Sequence, residues 1–329
     1  MKEKPSVVSE PEAARESAEE YLHRTSFERS LTGIYIVWLR DFKRFWRDTP
    51  RRLGAFVQPL VYLFLLGTGL QAAFKVFGAG DINYVTFMFP GILGMTVLFT
   101  SVFSSISILW DRQFGFLKEI LVSPVPRPSV AVGKVIGGAT TAVLQGTVLL
   151  LLMFLPSIFG FHWSTLWKAL ALIPLMVLLA LAMTSVGVAI GARLKSFEAF
   201  PILMNFFLMP LFFLSGAMFP LQGLPGWMNF LTRINPLSYG VDMLRGVALK
   251  GVDLTSSVTV ASRIASKLPA EVVAKLQANP DIMAALQKIF PKMPTVKTQI
   301  YPLWLDVAVV AGFGAVMLAI AIWEFNRQE

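Results

Sequence analysis

The chain has 329 residues, 55% of them apolar and only 15% charged, against about 25% charged in a typical soluble domain. It contains no cysteine and two histidines, His23 and His162, which excludes disulfides, zinc–thiolate sites and thiol nucleophiles and argues against a histidine metal site. The net charge of +9 is spread as membrane topology requires, not gathered as a nucleic-acid partner requires.

Several apolar runs are long enough to cross a bilayer as helices, so the predicted class is an all-α, polytopic membrane protein. Residues 1–24 are rich in Glu, Ala and Ser and have no apolar h-region; they read as a disordered tail, not a signal peptide. Thr25-Ser26-Phe27-Glu28 fits a capping box and opens a helical segment over 25–52. Leu31, Tyr35, Trp38, Phe42 and Phe45 keep helical spacing, with Arg40, Lys43, Arg44, Arg47 and Arg51 largely on the other side. A basic, aromatic amphipathic helix of this kind lies in the membrane interface. The first span is expected at about 53–73, with Pro59 and Gly67 inside it. The second, at about 85–110, holds Pro90-Gly91, read as a kink with close helix approach.

The loop 111–124 is not an ordinary polar loop. Phe114, Leu117 and Leu121 recur at helical spacing, as do Phe116 and Ile120, while Arg112, Lys118 and Glu119 interrupt the apolar surface. Ser123-Pro124 ends the helix. About two turns of helix with exposed apolar residues need a partner, or else rest on lipid headgroups.

The third span, about 132–155, opens on the small residues Gly133, Gly137, Gly138 and Ala139. His162-Trp163 reads as an interfacial pair before the fourth span at about 168–192. There Gly187 and Gly191 form a GxxxG packing site, its neighbour in this chain or another left open. Arg193-Leu194-Lys195 turns into a fifth span, about 197–219, loaded with phenylalanine and interrupted by Pro201 and Pro210. Repeated Pro and Gly from Pro220 to about 247 exclude a straight span and predict two short helices that dip into the membrane and return. Within them Asp242 and Arg245, three residues apart, are placed to pair. Residues 250–300 read as a small helical insert, and the last span as about 303–323, with Asp306 and Glu324 near its ends explained by snorkelling.

Phe114-Gly115-Phe116-Leu117-Lys118-Glu119-Ile120-Leu121-Val122-Ser123-Pro124-Val125-Pro126-Arg127, followed by Gly133-Lys134, resembles the cytoplasmic loop of ABC type-2 exporter permeases, most of all the daunorubicin-exporter and nodulation-factor-exporter branch. Pro90-Gly91 and Asn235-Pro236-Leu237-Ser238-Tyr239…Asp242…Leu244-Arg245-Gly246 also match that family's pattern. The resemblance implies that 111–124 is a coupling helix in a groove of a separate ATPase. Arg112, Phe114, Phe116, Leu117, Lys118 and Glu119 would make the contact. It also implies a re-entrant hairpin over 220–247 carrying Pro220, Asn235, Pro236, Tyr239, Asp242 and Arg245, and two copies of the permease with two ATPase subunits. Residues 250–300 depart from the pattern, since the family joins the hairpin to the last span by a short linker.

Lys and Arg concentrate in the N-terminal region, the 111–124 loop, the Arg193 turn and the tail, while the two short loops on the other side carry Lys75 and Lys168. Both termini and the coupling loop are therefore expected in the cytoplasm, with six spans in a bacterial inner membrane and the insert outside. No GxxxxGK[ST] occurs; Gly133-Lys134 is followed by Val135. No cofactor is expected on this chain, and ATP and magnesium belong to the partner. The rival readings are a secondary transporter, disfavoured by the scarcity of ionisable residues in the spans, and a non-transporting assembly protein.

Overall fold

The computed structural model describes residues 26–76, 84–115, 125–156, 158–221, 224–251 and 299–327. Every regular element among them is a helix. Helix α1 spans Ser26–Arg47 and α2 Thr49–Val61; one π turn, Tyr62–Leu66, leads into α3, Gly67–Val76. Pro59 cannot donate to the helical ladder, and the π turn follows one turn later. Helix α4, Tyr84–Ser104, and α5, Ile106–Gln113, form one long apolar segment broken at Ser105. Next come α6, Arg127–Leu150, with a 3-10 turn at Leu151–Phe154, and α7, Trp163–Arg193. They are followed by α8, Ala199–Phe213, the short α9, Gly226–Ile234, and α10, Pro236–Ala248, and finally α11, Leu303–Asn326.

Among the described residues, four segments are long and apolar enough to cross a membrane: Tyr84–Gln113, Arg127–Phe154, Trp163–Arg193 and Leu303–Asn326. Phe56–Ala72 and Ala199–Phe213 are apolar but shorter. Residues 116–124, most of the expected coupling helix, and 252–298, most of the insert, lie outside the described residues, as does the tail 1–25.

Helix α7 is the spine: α11, α6 and α4 all pack along it. The packing is close because glycines face neighbouring backbone. A Cβ added to Gly187 would come within 2.8 Å of the Val102 carbonyl oxygen, and one on Gly191 within 3.3 Å of that of Ser105. The GxxxG segment thus faces the α4–α5 break of its own chain. Gly91 on α4 is tighter still, its missing Cβ 2.6 Å from the Ala217 Cα. Helix α1 lies on α6, where Gly133 leaves 2.8 Å between a would-be Cβ and that of Val37.

Candidate coupling site and membrane cleft

The loop 116–124 leaves α5 and returns into α6, and both roots are held by buried charge. Lys134 on α6 is 4% exposed and Asp111 on α5 is 3% exposed. The Lys134 Nζ lies 2.6 Å from Asp111 Oδ2, 3.0 Å from the Asp41 carboxylate of α1 and 3.2 Å from Ser107 Oγ. Arg40 also donates to Asp111. Arg44 stands 3.8 Å from the other Asp111 oxygen and over the Trp110 ring at 5.1 Å. Three helices are thereby tied through one buried ion cluster. Such clusters are tolerated only when every charge is matched, because desolvation is expensive.

Arg112 donates to the carbonyls of Leu194 and Ala192, at the C-terminus of α7, where unpaired carbonyls and the helix dipole favour a cation. Beside it Arg193 pairs with Glu324 of α11 at 2.6 Å, and Arg127 donates to the Asn326 carbonyl at 3.2 Å. Phe114 stacks on Trp110 with ring centroids 5.3 Å apart yet stays 61% exposed. Phe116, Leu117, Lys118 and Glu119 lie outside the described residues.

At the opposite end of the chain's helices, Asn235 joins α9 to α10. Its side chain accepts from Leu237 N at 3.0 Å and donates to Leu211 O at 2.7 Å, with Pro236 at the first helical position. Tyr239 donates to Arg233 O and stacks on Tyr301, and Pro220 is half-buried in the turn before α9. The expected pairing of Asp242 with Arg245 is not what the structure shows. The Asp242 carboxylate accepts the backbone N–H groups of Ile300 and Tyr301, both at 2.9 Å. Arg245 reaches the other way, donating to Gly216 O at 2.5 Å with its guanidinium 4.3 Å above the Phe87 ring. Each charge secures a turn of backbone that has no regular partner. The reading of Asp306 as a snorkelling residue is likewise corrected: it is fully buried in the first turn of α11.

A cleft of about 380 Å³ opens between α1, α2, α4, α6 and α8. Gln58, Thr96, Thr100, Thr141, Gln145 and Asn205 supply its polar lining, and Met95, Phe99 and Phe103 much of the apolar remainder. The Thr100 hydroxyl donates to Gln145 Oε1. Sequence reasoning missed Asp41, Lys134 and the cleft amides. The signal was present: Asp111 and Lys134 flank the loop, and Gln58, Gln145 and Asn205 are lone amides in apolar runs.

The match to known proteins covers the same part of the chain. The model of the ABC-2 type transporter family matches residues 32–249. Nodulation protein J of Rhizobium meliloti (strain 1021) is 30% identical over 218 residues, 65% of this chain and 80% of that protein. The transport permease ycf38 of Cyanophora paradoxa is 26% identical over 64% of this chain and 72% of its own. The multidrug ABC transporter permease YbhR of Escherichia coli (strain K12) is 26% identical over 53% and 46%.

Proposed function

The chain belongs to the ABC-2 type transporter family, and from that premise we propose that it is the membrane subunit of an ATP-driven exporter whose ATPase is a separate chain. Membership makes it a multi-pass membrane permease, a transport subunit and not an enzyme in its own right. In our reading Phe56–Ala72 and Ala199–Phe213 complete six spans with the four long segments, while α9 and α10 form a re-entrant hairpin. Two copies enclose the pathway, and two ATPase subunits, carrying ATP and magnesium, seat the 111–124 coupling helices. Both termini face the cytoplasm of a bacterial inner membrane. The substrate, a drug, lipid or glycan, moves outward.

The observation that carries this reading is the anchoring of the loop at both roots, through Asp111–Lys134 and through Arg112 on the α7 terminus. A loop bound to a rigid base transmits a push; a loop on a loose base absorbs it. ATP-driven closure of the partner would draw the two coupling helices together and tilt the spans joined to them. Phe116 and Leu117 are the apolar anchors and Glu119 the charged contact. Desolvated aromatic anchors at the centre of a small interface usually dominate its energy. Phe116→Ala should cost about 2 kcal/mol, roughly a thirtyfold loss of affinity.

The test is co-purification of tagged ATPase with the Phe116→Ala/Glu119→Arg protein. The variant should reach the membrane at normal level, lose its ATPase and export nothing. A variant that kept both ATPase and transport would mean that the loop merely rests on lipid.

A further inference from the structure

The last turn of α11, from Trp323 to Arg327, is met by guanidinium groups from three elements. Arg193, at the end of α7, lies 2.6 Å from Glu324 while its side chain stays 66% exposed. Arg127, which opens α6, is exposed and donates to the Asn326 carbonyl at 3.2 Å. Arg327, also exposed, stands 3.7 Å over the Trp323 ring, a contact that needs none of its N–H donors. The helix C-terminus accounts for Arg127, whose donor caps a carbonyl. Arg193 and Arg327 are held through one carboxylate oxygen and one ring. A planar fork of five donors has capacity for a phosphate besides.

The face of α11 that leads to this turn is open. Among the described residues, α11 is the least buried of the four long apolar segments. Trp304, Ala308, Gly312, Val316, Ala319 and Trp323 recur every three or four residues, and all are exposed. A Cβ added to Gly312 would meet nothing within 4 Å. The stripe is thus a smooth apolar track between two tryptophans, a residue enriched at both membrane–water boundaries. The rise from Trp304 to Trp323 is about 28 Å, against a hydrocarbon core of about 30 Å. The pair marks the two edges of the bilayer. Arg127, Arg193 and Arg327 therefore stand at headgroup level on one of them, with a track for acyl chains leading away from Trp323.

We propose that this end of α11 is a binding site for an anionic phospholipid. Arg193 and Arg327 hold its phosphate, Arg127 adds charge beside them, and an acyl chain lies along Trp323, Ala319 and Val316. Charge complementarity selects a lipid of net negative charge over a zwitterionic one, whose own ammonium offsets its phosphate. The proposed topology puts the site in the cytoplasmic leaflet. Arg127 opens α6 directly after the coupling loop, so the bound lipid braces α6, α7 and α11 at the returning root of that loop. The assignment needs the chain to span a bilayer, not to export.

The test is native mass spectrometry of the full-length chain in detergent, titrated with dioleoyl phosphatidylglycerol or dioleoyl phosphatidylcholine. Phosphatidylglycerol should bind roughly twentyfold more tightly, and Arg193→Gln and Arg327→Gln should each weaken it about fivefold while leaving phosphatidylcholine unchanged. Arg327→Lys should keep most of the preference, because the charge remains. Equal affinity for the two lipids, an undiminished preference in Arg193→Gln/Arg327→Gln, or a loss in Arg327→Lys as large as in Arg327→Gln overturns the assignment. Displacement of phosphatidylglycerol by glycerol phosphate at matching concentration would make this a site for a free phosphate, and the lipid assignment would be wrong. The chain has no cysteine, so Ala319→Cys reports on the same face alone. Full disulfide formation between copies in native membranes would put a second copy there and defeat the proposal. Loss of the co-purifying ATPase in the double Gln variant, with phosphatidylglycerol binding intact, would make the patch a protein contact and defeat it equally. The lipid titrations need no ATPase, so a failure of the exporter reading leaves them standing and is told apart.

Discussion

Lys134 Nζ stands 2.6 Å from Asp111 Oδ2, and neither residue is more than 4% exposed. One lies before the 116–124 loop and the other after it, so the pair closes the base of that loop. Asp41 brings helix α1 into the same cluster at 3.0 Å. Any force on the loop therefore reaches α1, α5 and α6 together.

Removing one member of a buried ion cluster leaves the rest uncompensated, at a cost of about 3–5 kcal/mol. Lys134→Met should lower the apparent melting temperature of the detergent-solubilised protein markedly. Lys134→Met/Asp111→Leu should recover part of the loss, because the buried carboxylate that lost its ammonium partner is then gone too, while the half-exposed Arg40 keeps Asp41 at 3.6 Å. The check is a thermal series followed by size-exclusion chromatography. A double variant less stable than the single one would contradict the pairing.

At Gly91 an added Cβ would meet the Ala217 backbone, 2.6 Å from its Cα, where nothing flexible can give way. Gly91→Ala should destabilise by about 1–3 kcal/mol, as overpacking does. Gly312 on α11 has no atom within 4 Å of a would-be Cβ. Gly312→Ala should be neutral or slightly stabilising, since it only adds helix propensity. The two variants compared in one thermal assay separate packing from propensity.

The Asp242 carboxylate accepts two backbone N–H groups just before α11. Hydrogen bonds to a charged acceptor are worth about 1.5–3 kcal/mol. Asp242→Ala should therefore loosen the segment around Ile300 and Tyr301, read as faster amide exchange or easier proteolysis there. The loop at the opposite end, rooted on Arg112, should be unchanged. Equal loosening at both ends would show global destabilisation instead.

Topology is checked by phosphatase fusions. Fusions after Lys75 and within 256–292 should be active outside, whereas those after Pro124 and at Glu329 should be inactive. The expectation follows from the distribution of Lys and Arg. Activity at Glu329 would mean an odd number of spans.

The sequence by itself determined the class and the approximate helices, and it marked the motif loop, whose residues 116–124 lie outside the described ones. Apolar runs, Pro and Gly positions and the Phe116–Pro124 pattern are local signals, and a helix in a membrane satisfies its own backbone. Its limits came where a side chain chooses among distant partners. Asp242 and Arg245 are spaced to pair on a helix, yet each turns to backbone far along the chain, because unpaired N–H and C=O groups at turns compete for them. Gly187 and Gly191 announced a close approach, but only the fold decided that the neighbour is the α4–α5 break of the same chain. Asp41, Asp111 and Lys134 are far apart in sequence and ordinary in isolation. Packing buries Asp111 and Lys134 and leaves Asp41 only partly exposed, and only then must they pair.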